Sequence, residues 1–320
     1  MEKLIEISNL SVKMKDRING DFFAVNKLSL SIDKGSVLGI VGESGSGKTV
    51  SALAVMGLTS KDSMVSGDGI DFCGTNLLTL NQKEFSAIRG KDISMIFQDP
   101  QTGLNPLMKV GRQVEESLML HTDLTPSQIK DEAINMMGYT GLKDADSLYN
   151  AYPHQLSGGM RQRVMIASTI IARPKLIIAD EPTTALDSTT QMQILNMFKK
   201  VKEENQTSLM FISHNFGVIN YISDYIAVMY QGYVMEYGDK DHITKDPLHP
   251  YTKALIKCIP SEKMKGKPIF TIKNDFSNER ENIACPFLKR CDYACEKCTS
   301  DFNGKYIDGR YVRCTRIGEI

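Results

Sequence analysis

The chain has 320 residues, 42% of them hydrophobic and 24% charged, with 38 basic against 38 acidic side chains. That length suits one large domain plus a small one, or two domains, with apolar residues enough for a sizeable core. The charge balance argues against a globally basic surface for nucleic acid or anionic lipid, and no run approaches the roughly 18 apolar residues of a spanning helix. The longest run, VMIASTIIA at 164–172, is half that. The N-terminus MEKLIEISNL carries acidic residues and only a short apolar run, so no secretory signal is read there, and a cytoplasmic chain with reduced thiols is the expectation.

In chain order, Leu10, Val12 and Met14 alternate with polar residues, as do Leu28, Leu30 and Ile32, and both stretches read as strands. SVLGIV (36–41) is nearly all apolar, as in a strand buried on both faces. It enters the glycine-rich GESGSGKT (42–49), after which Val50, Leu53, Ala54 and Gly57 recur at helical spacing. Residues 81–160, rich in Met, Leu, Gln and Glu, read as a mostly helical insertion, with a helix start where Thr125 can cap and Pro126 sits in the first turn. KLIIADEP (175–182) returns to strand. Ile194, Leu195, Phe198 and Val201 mark a helix face, SLMFIS (208–213) a buried strand, and IAVMYQGYVMEYG a hairpin turning at Gln231-Gly232. A linker with three prolines, DPLHPYTKALIKCIP (246–260), leads to a cysteine-rich tail.

GESGSGKT fits G-x-x-x-x-G-K-[ST] at Gly42, Gly47, Lys48 and Thr49. Its glycines let successive N–H groups of residues 42–49, including Glu43, Ser44, Gly45 and Ser46, form an anion nest at a helix N-terminus. Lys48 can reach β- and γ-phosphates, and the Thr49 hydroxyl is a hard oxygen suited to Mg²⁺. In LIIADEP an apolar strand delivers two carboxylates to its C-terminal end, where open α/β sheets bind ligands. Asp180 suits Mg²⁺, directly or through water, and Glu181 suits orienting and polarising an attacking water. LSGGM, made of Leu156, Ser157, Gly158, Gly159 and Met160, opens another helix rich in N–H donors. Two phosphate-gripping helix starts with one lysine loop imply that the second closes on a nucleotide held by a partner.

These motifs, with Gln98 in MIFQDP, TALD (184–187) and His214 in FISHN, stand in the order of the ATP-binding-cassette ATPases, which the chain resembles over roughly residues 4–240. The resemblance implies an α/β fold, a P-loop NTPase cassette whose mostly parallel sheet core carries an antiparallel β portion and a helical subdomain. It places the nucleotide-binding domain at 1–240 with the helical insertion at about 92–165, a linker and helix at 241–270, and a small cysteine-rich metal-binding domain at 271–320. By the same resemblance Gln98 contacts Mg²⁺ or water and hinges the helical subdomain, His214 contacts the γ-phosphate, Asp187 lies at a dimer interface, and Phe22 or Phe23 stacks on adenine. Met160 stands where glutamine is commoner, Asn215 follows the histidine where aspartate is usual, and Ser188 follows ALD where this branch often has valine; none of these removes a charged catalytic group.

The 246–260 segment and the tail resemble the oligopeptide/dipeptide importer branch, which also includes nickel importers. That implies an ATPase with Mg²⁺, peripheral on the cytoplasmic face of the membrane, partnered by two permeases, a second, non-identical cassette, and an extracytoplasmic substrate-binding protein, without nucleic acid. Nickel or nickel-chelate import, and a soluble ATPase acting on DNA or ribosomes, stay as alternatives. In the tail, Cys285, Cys291, Cys298 and Cys314 are spaced C-x5-C-x6-C-x15-C. Four thiolates suffice for a cubane cluster or tetrahedral zinc; the resemblance favours a 4Fe–4S cluster, with zinc and free thiols as alternatives and Cys295 as a possible substitute for Cys298. The two remaining cysteines, Cys73 and Cys258, are expected to be buried small hydrophobes; the alternative to the importer-branch reading of 246–260 is an ordinary linker entering a helix, in which Thr252, Ala254, Leu255 and Cys258 simply pack.

Overall fold

In a computed structural model of the full chain, residues 2–15, 20–99, 103–184, 186–259, 271–272, 285–299 and 303–319 are described. Pro100 of the QDP stretch, Ala185 of TALD, Pro260 of the linker and part of the 271–320 region fall outside them. The strands are β1 (Lys3–Met14), β2 (Phe22–Asp33), β3 (Val37–Val41), β4 (Met64–Ser66), β5 (Gly69–Phe72), β6 (Thr75–Asn76), β7 (Ile93–Ile96), β8 (Leu176–Asp180), β9 (Ser208–Ser213), β10 (Tyr225–Tyr230), β11 (Tyr233–Asp239), β12 (Lys305–Ile307) and β13 (Arg310–Val312). The α-helices are α1 (Lys48–Val55), α2 (Gln82–Ile88), α3 (Val110–His121), α4 (Pro126–Tyr139), α5 (Ala145–Leu148), α6 (Gly158–Ile170), α7 (Ser188–Asn205), α8 (Phe216–Ile222), α9 (Lys240–Lys245) and α10 (Pro250–Lys257).

The chain divides into two compact units, one of Met1–Leu4, Ile32–Ser36 and Thr79–Ile212, the other of Ile5–Ser31, Val37–Leu78 and Ser213–Ile320. In the first, β7, β8 and β9 pair in parallel. Every residue of β8 and β9 is buried, as the continuous apolar runs require. Ile194, Leu195, Phe198 and Val201 form the buried face of α7, and Phe198 meets Phe211 edge-on at 5.6 Å. The helical region holds α3 to α6. The stretch read as mostly helical also holds α2 and a sheet strand, Ile93–Ile96, whose four residues are too few for periodicity to separate strand from helix. Thr125 caps α4 in a reciprocal capping box with Gln128, with Pro126 at the helix start.

In the second unit, β2, β1, β5 and β6 form a sheet, with β4 also paired to β1. A second set runs β12, β13, β11, β10, β3, in which β3 and β10 are parallel and the rest antiparallel. The β10–β11 hairpin turns at Gln231-Gly232, both at positive φ (46° and 88°), in register Tyr230 to Tyr233. The same chemistry builds the β5–β6 turn, where Cys73 and Gly74 take φ of 52° and 84°. Cys73 is consequently exposed rather than buried, and Cys258 is half-buried.

One further expectation changes. The tail does not stand apart as a domain, since β13 pairs with β11 and extends this unit's sheet. Phe287, Arg290 and Val312 are buried there. α10 buries Pro250, Tyr251 and Thr252, and Ala254, Leu255 and Cys258 are half-buried. Among the described residues no helix is long and apolar enough to cross a membrane.

Candidate functional site

The phosphate loop leaves the C-terminal end of β3, all five of whose residues are buried. Gly45 and Gly47 adopt φ of 76° and 99°, a left-handed region that only glycine enters without strain. A Cβ at Gly42 would lie 2.1 Å from the Met229 carbonyl oxygen, and one at Gly47 would lie 2.3 Å from that of Ala24. Gly47 also caps α1, so the loop ends on a helix N-terminus. The α1 face that packs is Ser51, Ala52, Ala54 and Val55, rotated from the face read off the sequence. Lys48 is buried and its Nζ donates to the carbonyls of Gly42 (2.8 Å) and Glu43 (2.9 Å) and to Ser46 Oγ (3.3 Å). Thr49 and Val50 are half-buried, and Ser44 and Gly45 are exposed at the loop crown.

Glu43 is engaged away from the loop interior. Its N–H donates to Tyr251 Oη at 3.1 Å, and its carboxylate accepts two bonds from Arg290, at 2.7 and 2.9 Å. Arg290 also donates to Tyr230 Oη at 3.1 Å. Burial disfavours the guanidinium charge, but its bonds to Glu43 and Tyr230 together outweigh this and hold it firmly protonated. Tyr230, Tyr251 and Phe287 stack around the pair at 4.8–5.5 Å. No local signal in the sequence pairs residue 43 with residue 290.

In the first unit, Asp180 closes β8 and is 1% exposed. Glu181 follows at φ 47°, a conformation costly for a non-glycine residue and recurrent at functional sites. Its N–H donates to the Ile212 carbonyl at 3.0 Å, and its Oε2 accepts from Thr184 Oγ1 at 2.9 Å and Gln98 Nε2 at 3.4 Å. Glu181, Gln98 and Thr184 thus lie within hydrogen-bonding reach of one another. Ser157 caps α6, its Oγ accepting from Met160 N at 3.3 Å, with Ser157 and Gly158 exposed and Leu156 buried beneath them. Gly159 faces α7, the nearest atom to a Cβ there being Thr190 Cγ2 at 3.9 Å. Asp187 is exposed and caps α7 by accepting from Thr190 N at 2.9 Å and Oγ1 at 2.7 Å, bonds that hold its carboxyl below the usual range. S/T/D/N before a helix was the signal for that cap.

In the second unit, His214 is exposed just beyond β9. Asn215 caps α8, accepting from Gly217 N and Val218 N, so its replacement of aspartate costs no cap. Phe23 is an exposed aromatic on β2 and Phe22 is half-buried.

The donor types Thr49 hydroxyl, Gln98 amide and Asp180 carboxylate are hard oxygens and fit Mg²⁺. In the tail, Cys285, Cys291, Cys298 and Cys314 line one cavity, whereas Cys295 does not and sits 3.8 Å from Cys298, sulfur to sulfur. Burial pushes the Cys285 thiol up to about 12 and raises Cys291 and Cys314. At Cys298 burial pulls the same way, but hydrogen bonds from Thr315 and Cys295 outweigh it and the thiol is lowered. Among the described residues, however, no group of three or more His, Cys, Asp or Glu side chains is arranged to hold a metal ion. The expectation of a metal-binding tail is therefore not supported: four thiols line one cavity without being arranged as a metal site.

Family models match at residues 25–184 (ABC transporter) and 235–298 (oligopeptide/dipeptide transporter, C-terminal region). The oligopeptide transport ATP-binding protein OppD of Salmonella typhimurium is 42% identical over 298 residues, covering 93% of this chain and 88% of that protein. The dipeptide transport ATP-binding protein DppD of Haemophilus influenzae is 41% identical, covering 97% and 94%. A dimeric structure of the bacterial ABC transporter cassette MJ0796 is similar with a TM-score of 0.67 at 27% identity, covering 74% of this chain and 98% of that one. A phosphate loop, an acidic strand end and a capped serine-glycine helix, carried on a chain with these matches, identify it as a member of the ATP-binding-cassette transporter ATPase family that bears the oligopeptide/dipeptide transporter C-terminal region.

Proposed function

We propose that the chain is the ATP-hydrolysing subunit that energises a membrane importer of di- and oligopeptides, docked peripherally on the cytoplasmic face. The observation that carries this is the union on one chain of the cassette, matched over 25–184, with the oligopeptide/dipeptide C-terminal region, matched over 235–298. Relatives named for oligopeptide and dipeptide transport support the peptide reading over nickel import or a soluble DNA- or ribosome-acting ATPase. Two permeases, a second cassette and an extracytoplasmic binding protein complete the assembly.

Lys48 and the loop N–H groups of residues 44–49 grip the β- and γ-phosphates of ATP, and Phe23 stacks on the adenine. Thr49, Asp180 and Gln98 would hold Mg²⁺, which neutralises phosphate charge when bound. Glu181, oriented by Thr184 and Gln98, accepts the proton of the attacking water, and His214 contacts the γ-phosphate. Leu156, Ser157, Gly158, Gly159 and Met160 present helix-start N–H donors to the nucleotide of the partner cassette, with Asp187 at that interface. ATP shared between two cassettes draws them together and hydrolysis releases them.

Cys285, Cys291, Cys298 and Cys314 would be the ligands of a 4Fe–4S cluster if one binds; they line one cavity but are not arranged there as a metal site, and no step of hydrolysis passes through them. Iron and sulfide analysis of an anaerobic preparation tests this: stoichiometric zinc, or no metal, overturns it. For the transport role, the chain co-expressed with the permeases should co-purify with them and hydrolyse ATP faster when peptide-loaded binding protein is added. Stimulation by DNA, or no association with the permeases, would refute it.

A further inference from the structure

The segment that distinguishes this chain from a bare cassette reaches the phosphate loop directly. Arg290 lies between two of the cavity cysteines, in the stretch Cys285 to Cys291, and it grips Glu43 in a two-pronged bond at 2.7 and 2.9 Å. Its side chain is 4% exposed and that of Glu43 24%. Tyr251, on α10 and fully buried, accepts the Glu43 N–H at 3.1 Å. The Glu43 carbonyl accepts from Lys48 Nζ at 2.9 Å. One loop residue is thus held at its amide, its carbonyl and its carboxylate, twice by the C-terminal segment. The fork geometry is one that Arg supplies and Lys does not.

The electrostatic consequence follows from charge sign. A carboxylate at position 43 adjoins a nest built to receive the polyanion of ATP, and unneutralised it would repel that charge across a few ångströms. We propose that Arg290 is a positioning residue for ATP binding: it cancels the Glu43 charge and, with Tyr251, fixes the loop's entry, so that the cysteine-lined tail sets nucleotide affinity. This rests on the reading of residues 42–49 as the ATP phosphate loop. Arg290 touches no reacting atom, so it acts on affinity rather than on the chemical step.

The test uses the full chain, alone for binding of a fluorescent ATP analogue and with its permeases for turnover. Arg290→Gln should weaken ATP binding roughly tenfold, about 1.4 kcal/mol, and raise KM with kcat within about twofold. Arg290→Lys, which keeps the charge and loses the fork, should fall between. The double variant Glu43→Gln with Arg290→Gln carries no uncompensated carboxylate and should regain most of the lost affinity, a rescue that mere loss of packing would not produce. Wild-type affinity in Arg290→Gln, or no rescue by Glu43→Gln, overturns the proposal. Lys48→Ala separates the two readings. If it abolishes ATP binding while Arg290→Gln does not weaken it, this proposal alone fails; if Lys48→Ala binds ATP normally, the loop assignment fails and the proposal with it.

Discussion

Replacing Glu181 with glutamine separates proton acceptance from every other role of that side chain. The bonds from Thr184 Oγ1 and Gln98 Nε2 land on one oxygen, Oε2. The glutamine amide oxygen can accept both, and the backbone at φ 47° strains glutamine as it strains glutamate. Fold and ATP affinity should therefore be retained, with the melting temperature changed by no more than about 1–2 °C. Loss of a general base costs roughly 10²–10⁴ in rate, about 3–5 kcal/mol of barrier. Phosphate release by the assembled importer measures the rate, and fluorescent-nucleotide titration the affinity. A companion, Glu181→Asn, tests the strain: asparagine tolerates the left-handed region, so about 1 kcal/mol should return as a melting temperature higher by roughly 2–4 °C, with turnover lost. Wild-type hydrolysis by Glu181→Gln would refute the base assignment, and a melting temperature for Glu181→Asn no higher than wild type would refute the strain.

Three further outcomes are expected. His249, buried on the N-terminus of α10 with its Nδ1 accepting from Tyr251 N at 2.9 Å, is held down by burial to about 3. A depressed histidine stabilises the fold above its unfolded value of about 6.5 and loses that contribution as pH falls, by about 2 kcal/mol at pH 5; His249→Asn keeps a capping acceptor, so its melting temperature should fall less than wild type's between pH 7 and pH 5, and parallel curves would refute this. Burial raises the neighbouring Glu236 carboxyl, which acts in the opposite direction but is common to both proteins. Gly111→Ala would put a Cβ 2.1–2.5 Å from the Tyr149 ring, whose hydroxyl donates to buried Glu115, and should cost about 1–3 kcal/mol by denaturant melt. Asn215→Ala should cost about 1 kcal/mol by removing the α8 cap, and Asn215→Asp nearly nothing, by thermal melt.

Much of this protein was legible in contiguous residues, because the physics there is local. The phosphate loop, the Thr125 capping box, the Gln231-Gly232 turn and the acidic end of β8 each rest on a few adjacent side chains whose dihedral and hydrogen-bonding preferences suffice. The Cys73-Gly74 turn carries the same kind of signal, in the glycine that follows the cysteine rather than in the cysteine's apolar character. Ile93–Ile96 was too short for its period to declare a strand; pairing with β8 decided it. Thr184 on Glu181, and α10 and the tail on Glu43, belong to tertiary structure alone. Glu43 and Arg290 are 247 positions apart, and no propensity or periodicity encodes a pair that exists only once sheet and helices bring the two ends of the chain together. The residue types of 42–49 alone dictate a glycine turn rich in N–H donors ahead of a helix. Only the fold decided what braces it, since that depends on burial and on charges meeting across distant segments.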